Sequence, residues 1–189
     1  DIELSIDNKE RFPKEDVRYS DVDAFCDEYF ASHETQEGDD FAPYKHQRQA
    51  AHKMLKYRYS GVEVATAGGK SLIYSIVMLF VWKRVKPDAR FLLVVPSKML
   101  VTQFYNDIHD YCYGFNNDAA DPVELRVSEL YSDKSRQHDP PEESNLWIGT
   151  WQSLYKKPRK WFEQFDGAAM DEGHLGKAKS VSSIFNRLQ

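Results

Sequence analysis

A chain of 189 residues has room for one domain of ordinary size with a segment to spare, and 41% hydrophobic, 14% aromatic and 29% charged residues exclude wholesale disorder and low-complexity architecture. The longest apolar run, residues 76–82, falls far short of the roughly 20 residues that cross a bilayer, so no membrane-spanning role is expected. The net charge of -5 conceals a division: residues 1–40 carry 14 acidic and 4 basic side chains, whereas residues 41–189 carry 21 basic and 16 acidic ones, a surplus that permits phosphate contacts without demonstrating them.

Taken in chain order, the acidic segment predicts one helix over 21–31, with Val22, Phe25, Cys26, Tyr29 and Phe30 on one face, Ser20 as its cap and Asp23 three residues on. This helix is expected to dock its apolar face on the body, and residues 32–40 read as a polar linker. A second helix, 45–57, leads to a short apolar strand at 61–65. After the turn Thr66-Ala67-Gly68-Gly69 comes a run, 70–85, apolar on most sides and hence a helix buried on most faces.

Residues 90–95 form a continuous apolar run of strand length, the pattern of a strand covered on both faces, and 99–111 has helical spacing. Residues 123–130 alternate like a strand, and 132–144, with Pro140-Pro141, read as a loop. Residues 145–149 and 167–170 are two further strands, separated by a helical stretch, 151–165, interrupted at Pro158; residues 180–188 read as a terminal helix. Strands alternating with helices argue an α/β fold with a mainly parallel sheet and helices on both faces. The expected division is an extension, 1–40, and a single larger domain, 41–189.

The sharpest local feature is Ala65-Thr66-Ala67-Gly68-Gly69-Lys70-Ser71, between a strand and a helix. Glycines let the backbone of Thr66, Ala67, Gly68 and Gly69 turn tightly, so that successive N–H groups face phosphate oxygens, and the following helix adds its positive end. Lys70 would reach the β and γ phosphates and the Ser71 hydroxyl would ligate Mg²⁺. The full P-loop pattern wants glycine at position 64, where the chain has Val64. Spacing alone also fits a strand-to-helix turn whose glycines serve only geometry. Asp171-Glu172 closes an apolar strand, the edge where open α/β sheets gather ligands. There Asp171 would hold the metal, and Glu172 would orient or deprotonate an attacking water. Such a pair also fits a solvated turn, and His174 taken singly fits a packing histidine.

The order of these pieces resembles the ATPase core of superfamily-two DExH helicases. Gln47 resembles the adenine-recognising glutamine; ATAGGKS resembles motif I; Pro96, Ser97, Lys98, Thr102 and Gln103 resemble motif Ia; Thr150 and Gln152 lie in a later nucleic-acid contact motif; and Asp171-Glu172-Gly173-His174 is similar to a DExH box. The stretches GTWQSLYKKPRKWFEQF and SVSSIF are similar to those of a phage recombination and repair helicase of this family, and the resemblance runs from about Tyr44 to Leu188. It implies a RecA-like P-loop domain that binds ATP and Mg²⁺ and acts on nucleic acid, DNA rather than RNA, in a motor working on branched intermediates. Catalytic roles are implied for Lys70, Asp171, Glu172 and His174. Phosphate contacts are implied for Ser97, Lys98, Thr102 and Gln103, with Thr150 and Gln152 continuing the track. Trp151 and the basic run Lys156, Lys157, Arg159 and Lys160 also fit a buried tryptophan beside solvated lysines.

Two departures stand out. His46 replaces the aromatic that usually precedes the motif glutamine, which passes adenine stacking to Phe41 or Tyr44, and Gly68 stands where a near relative has another small residue. The chain opens on Asp1 and is expected to have been cut from something longer; a second RecA-like half with its arginine finger is implied downstream. Cys26 and Cys112, far apart and without CxxC spacing, form neither a disulfide framework nor a zinc site, and a reducing compartment, the cytoplasm of the host cell, is expected. The rivals are a P-loop ATPase that is not a helicase and a non-catalytic Rossmann-like binding module.

Overall fold

The structure is a computed structural model that describes residues 2–5, 17–57, 59–62, 68–117, 121–131, 134–137, 143–171 and 184. Its spine is four parallel strands: β3 (Phe91–Val95), β4 (Val127–Tyr131), β6 (Leu146–Thr150) and β7 (Gly167–Met170), in the order β7-β3-β6-β4. All residues of these strands are buried, as a sheet with both faces covered requires. Register explains the two cores. Phe91, Leu93, Val95, Leu146, Ile148 and Ala169 point to one face, and Leu92, Val94, Trp147, Ala168 and Met170 to the other.

The first face is covered by α1 (Tyr19–Tyr29), α2 (Lys45–Lys56), α3 (Lys70–Phe80) and α4 (Lys98–Tyr113); the second by the short helices α5 (Trp151–Leu154) and α6 (Arg159–Phe162), with Ile184 packed beside them. The expected α/β sheet with helices on both faces is therefore present. In α3 every residue from Leu72 to Phe80 is buried, because the helix is enclosed by the sheet and by α1, α2 and α4. Each of its large aliphatic side chains contributes about 1.5–3 kcal/mol of burial, so a charge at Ile73 would undo the layer. The helix ends in a wider turn, Val81–Val85, where Lys86 N–H reaches the Val81 carbonyl at 2.7 Å and Trp82 Nε1 donates to the Ala89 carbonyl at 2.8 Å.

Several elements differ from the sequence reading. The first helix begins at Tyr19, not Asp21, because the Asp21 carboxylate accepts from the Arg18 backbone N–H at 3.1 Å and takes the capping role assigned to Ser20 and Asp23. Residues 32–40 are an ordered turn rather than a linker: Thr35 and Gly38 N–H groups bond across it, Glu34 bridges Asp40, and His33 is buried with Nε2 3.0 Å from the Tyr111 carbonyl. Two strands were not anticipated. Within the expected loop, β5 (Lys134–Gln137) pairs antiparallel with β4 along its outer edge, and β1 (Ile2–Ser5) lies antiparallel between β2 (Tyr59–Val62) and β7. Both are short strands held by backbone pairing, which requires no apolar pattern. The fourth parallel strand starts at Val127 rather than at Val123. Of the helix expected over 180–188, only Ile184 is among the described residues.

Candidate functional site

β2 runs parallel to β7, since each pairs antiparallel with β1, and Gly68 and Gly69 lead into α3. Gly69, the residue before the first turn of α3, has φ +72°, and a Cβ there would stand 2.3 Å from Gln47 Nε2. Only glycine meets both demands. The first N–H groups of α3 lack intrahelical partners and carry the positive end of its dipole, so the turn suits an anion.

Lys70 extends from this turn to the carboxyl edge of the sheet, where its Nζ lies 3.3 Å from Asp171 Oδ1. The two residues are 101 positions apart in the chain, and both side chains are largely buried. Asp171 is held by its backbone N–H, which donates to the Val94 carbonyl at 2.9 Å. Among the described residues its Oδ1 nevertheless receives no hydrogen bond, so the ammonium is near but not aligned as a donor. A buried carboxylate oxygen with this unused capacity is rare and suits a further cation. The fully buried Tyr74 hydroxyl also has no hydrogen-bond partner among the described residues, and burial together with the Asp171 charge pushes that phenol well above its usual range.

Gln47 is buried in the first turn of α2, its Oε1 accepting from Tyr44 N–H at 2.8 Å and its Nε2 donating to the Gly68 carbonyl at 3.2 Å. An amide has two donor hydrogens and two acceptor lone pairs. One of each is therefore left for a ligand while the side chain stays in place. Tyr44 is 70% exposed and stacks on His46 with ring centroids 5.8 Å apart. Phe41, the other aromatic considered for adenine, packs instead among Phe30, Tyr111 and Phe115. Of the two, Tyr44 is the one that presents its ring to solvent.

Ser71 opens α3 beside Asp107 and Tyr111 of α4; burial pushes the Asp107 carboxyl up, and the Ser71 side chain partly opposes this.

The residues expected to touch nucleic acid emerge along the same sheet edge, because Val95 is in register with Thr150 on adjacent parallel strands. Pro96 and Ser97 follow β3; the Ser97 hydroxyl caps α4 by accepting from Leu100 N–H at 3.4 Å. Lys98, Thr102 and Gln103 share an exposed face of α4 with Met99 and Asn106, two residues the sequence reading did not single out. Lys98 Nζ lies 4.6 Å from the centre of the Tyr131 ring. Thr150 is buried, its Oγ1 3.1 Å from Ser153 Oγ, while Gln152 is exposed. Gly149 is needed for close packing, since a Cβ there would come within 3.2 Å of Leu130 and Leu154. Trp151 and Trp161 are partly buried against the second core, and Lys157 lies over the Trp161 ring. Thr66, Ala67, Glu172 and His174 lie outside the described residues.

A helicase signature accounts for the whole arrangement, since residues 44–189 match the family model of the DEAD/DEAH box helicases. The chain belongs to this family. Over 188 residues it is 29% identical to the ATP-dependent DNA helicase uvsW of Enterobacteria phage T4, a match covering 99% of this chain and 34% of the relative. Two solved structures of UvsW from bacteriophage T4 share the RecA-like fold, each with a TM-score of 0.71, 24% identity and 92% of this chain covered, over 57% and 33% of their own lengths. The chain thus spans about one third of the length of the curated relative. Among the described residues of this helicase domain no helix is long and apolar enough to cross a membrane.

Proposed function

We propose that these residues are the ATP-binding half of an ATP-dependent DNA helicase or translocase that acts on branched DNA in recombination, repair or replication-fork rescue. The observation that carries this reading is the approach of Lys70 to Asp171, which brings two motifs from opposite ends of the domain to one point at the carboxyl edge of the sheet. Backbone N–H groups of residues 66–69 and the Lys70 ammonium hold the phosphates. The spare donor and acceptor of Gln47 meet adenine N7 and N6, the pairing by which such amides read that base, with Tyr44 as the stacking surface. Ser71 and the unsatisfied Asp171 Oδ1 would hold magnesium, which neutralises phosphate charge when bound. Glu172 orients or deprotonates the attacking water, and His174 completes the box.

Pro96, Ser97, Lys98, Thr102, Gln103, Thr150 and Gln152 form the DNA track, in which helix N-termini and short polar side chains suit phosphate contacts independent of sequence. The choice of DNA follows the relative's description as a DNA helicase. Catalysis of this kind relies on charge stabilisation, of which an arginine finger supplies about 10³–10⁵ in rate. The 189 residues by themselves accordingly bind Mg·ATP but hydrolyse it slowly and unwind nothing, with the second RecA-like half supplied in cis.

Thermal unfolding with and without Mg·ATP tests the nucleotide site, because a ligand that binds only the folded state stabilises it by about 2.7 kcal/mol at one hundred times its Kd. No shift at saturating Mg·ATP would remove the ATPase reading. Turnover of the full-length parent, compared with and without forked DNA, tests the motor; indifference to DNA would leave an ATPase of another kind.

A further inference from the structure

Arg48 follows Gln47 directly, and its side chain, only 12% exposed, reaches back across the start of α2 to the acidic helix α1. Nε donates to the Pro43 carbonyl at 2.9 Å, while one terminal nitrogen lies 2.9 Å from Asp23 Oδ1, 2.6 Å from Asp27 Oδ1 and 3.3 Å from the Asp23 carbonyl. The next residue after Pro43 is Tyr44, whose N–H holds Gln47 Oε1 and whose carbonyl accepts from the backbone N–H groups of both Gln47 and Arg48. Gln47 Nε2 in turn meets the carbonyl of Gly68, at the phosphate turn. A continuous chain of polar contacts therefore runs from the carboxylates of α1, through one guanidinium, to the amide that faces the nucleotide.

We infer that Arg48, clamped by Asp23 and Asp27, is a positioning residue that sets the Gln47 amide for adenine, and that α1 thereby tunes which base the site accepts. The inference rests on the adenine reading above. The fork of a guanidinium is essential to it: a planar group can hold the Pro43 carbonyl and two carboxylates together, whereas a lysine ammonium on a flexible stem cannot keep the same three directions. Neither carboxylate alone would order the turn, because Asp23 and Asp27 are 41% and 67% exposed and pairs so open to solvent contribute little individually. Their effect comes through the buried arginine they orient.

The test compares ATP and GTP affinities of the intact 189-residue chain, measured by calorimetry with Mg²⁺ present, for the unmodified protein and for Gln47→Ala, Arg48→Ala, Arg48→Lys and Asp27→Asn. The unmodified chain is expected to prefer ATP by about tenfold, the scale of one amide–base pair, and Gln47→Ala to abolish that preference. Arg48→Ala and Arg48→Lys should lower ATP affinity toward that of GTP while GTP binding stays unchanged, with Asp27→Asn showing a smaller loss in the same direction. A structural role alone would weaken both nucleotides equally or leave their ratio intact. Should Arg48→Ala fail to fold by circular dichroism, Arg48→Lys and Asp27→Asn decide: a native ATP-to-GTP ratio in both overturns the inference. Equal affinities in the unmodified chain, with Gln47→Ala silent, would overturn the adenine reading itself and this inference with it.

Discussion

Asp166 and Asp171 bracket the same strand, β7, and are buried to nearly the same degree, at 3% and 6% exposure. Asp166, at the amino end, has a partner on each oxygen: Lys86 Nζ lies 2.8 Å from Oδ1, and the Arg90 backbone N–H donates to Oδ2 at 2.9 Å. Asp171, at the carboxyl end, faces Lys70 at 3.3 Å and among the described residues leaves Oδ1 without a hydrogen bond. Two carboxylates of like burial thus have different work. A buried charge with a partner on each oxygen closes the fold, and one left partly unmet at the edge of a parallel sheet suits the ligand role proposed for Asp171. Burial alone does not locate a site; incomplete satisfaction at the right end of a strand does.

The largest effect that could break this contrast is at Lys70. Lys70→Ala should lower Mg·ATP affinity about 100-fold, the weight of a charged hydrogen-bonding group to phosphate, and should also lower the melting temperature without nucleotide, because it leaves the buried Asp171 carboxylate without its cation; calorimetry that finds native affinity would detach the turn from phosphate binding. At the other end, Asp166→Ala should cost about 2 kcal/mol of stability in urea titration, less than a fully buried pair because Lys86 is 29% exposed, while nucleotide affinity at a temperature where the variant is folded stays native. Loss of binding there would erase the distinction between the two ends.

Asp171→Asn sharpens the comparison from the ligand side. Removing an incompletely met buried charge should leave the melting temperature within the change expected of about 1 kcal/mol or raise it, while Mg²⁺ ceases to strengthen nucleotide binding; a magnesium effect of native size would place the metal elsewhere. The smallest effect belongs to His33, whose imidazole is held below its ordinary range by burial, against the contact of Nε2 with the Tyr111 carbonyl. A depressed value means that the unfolded chain binds the proton more readily. Stability from this group is therefore full above the ordinary value near 6.5 and declines as pH falls below it. Melting temperatures between pH 8 and pH 5 should show a decline that His33→Gln flattens, and an unchanged slope in that variant would assign the pH dependence to other groups.

Much of the architecture is legible in residue patterns. The unbroken apolar run at residues 91–95 states a strand covered on both faces, and nine successive buried positions in α3 follow from a segment with no polar stripe. Glycine at 69 before Lys70 marks a turn, and its positive φ supplies the reason. Less legible are β5, which pairs through backbone groups and has no apolar residue, β1, whose alternation Ile2-Glu3-Leu4-Ser5 is only four residues long, and the start of α1, where a carboxylate at Asp21 outcompeted a better-looking cap. Arg48 passed as one charge among many on a polar helix face.

Local chemistry in the chain determined which residue types could serve a triphosphate: glycine for a backbone that must turn left-handed, an ammonium and a hydroxyl beside it, and carboxylates at the end of an apolar strand. Tertiary structure decided which of them meet. Lys70 and Asp171 converge because β7 lies beside β3 in parallel register and α3 packs on the face to which Asp171 points. Gln47 is set by an arginine that draws its carboxylates from the acidic helix. Such meetings depend on side-chain directions and on which elements become neighbours, which are settled by the packing of the whole domain and not by any short stretch of it.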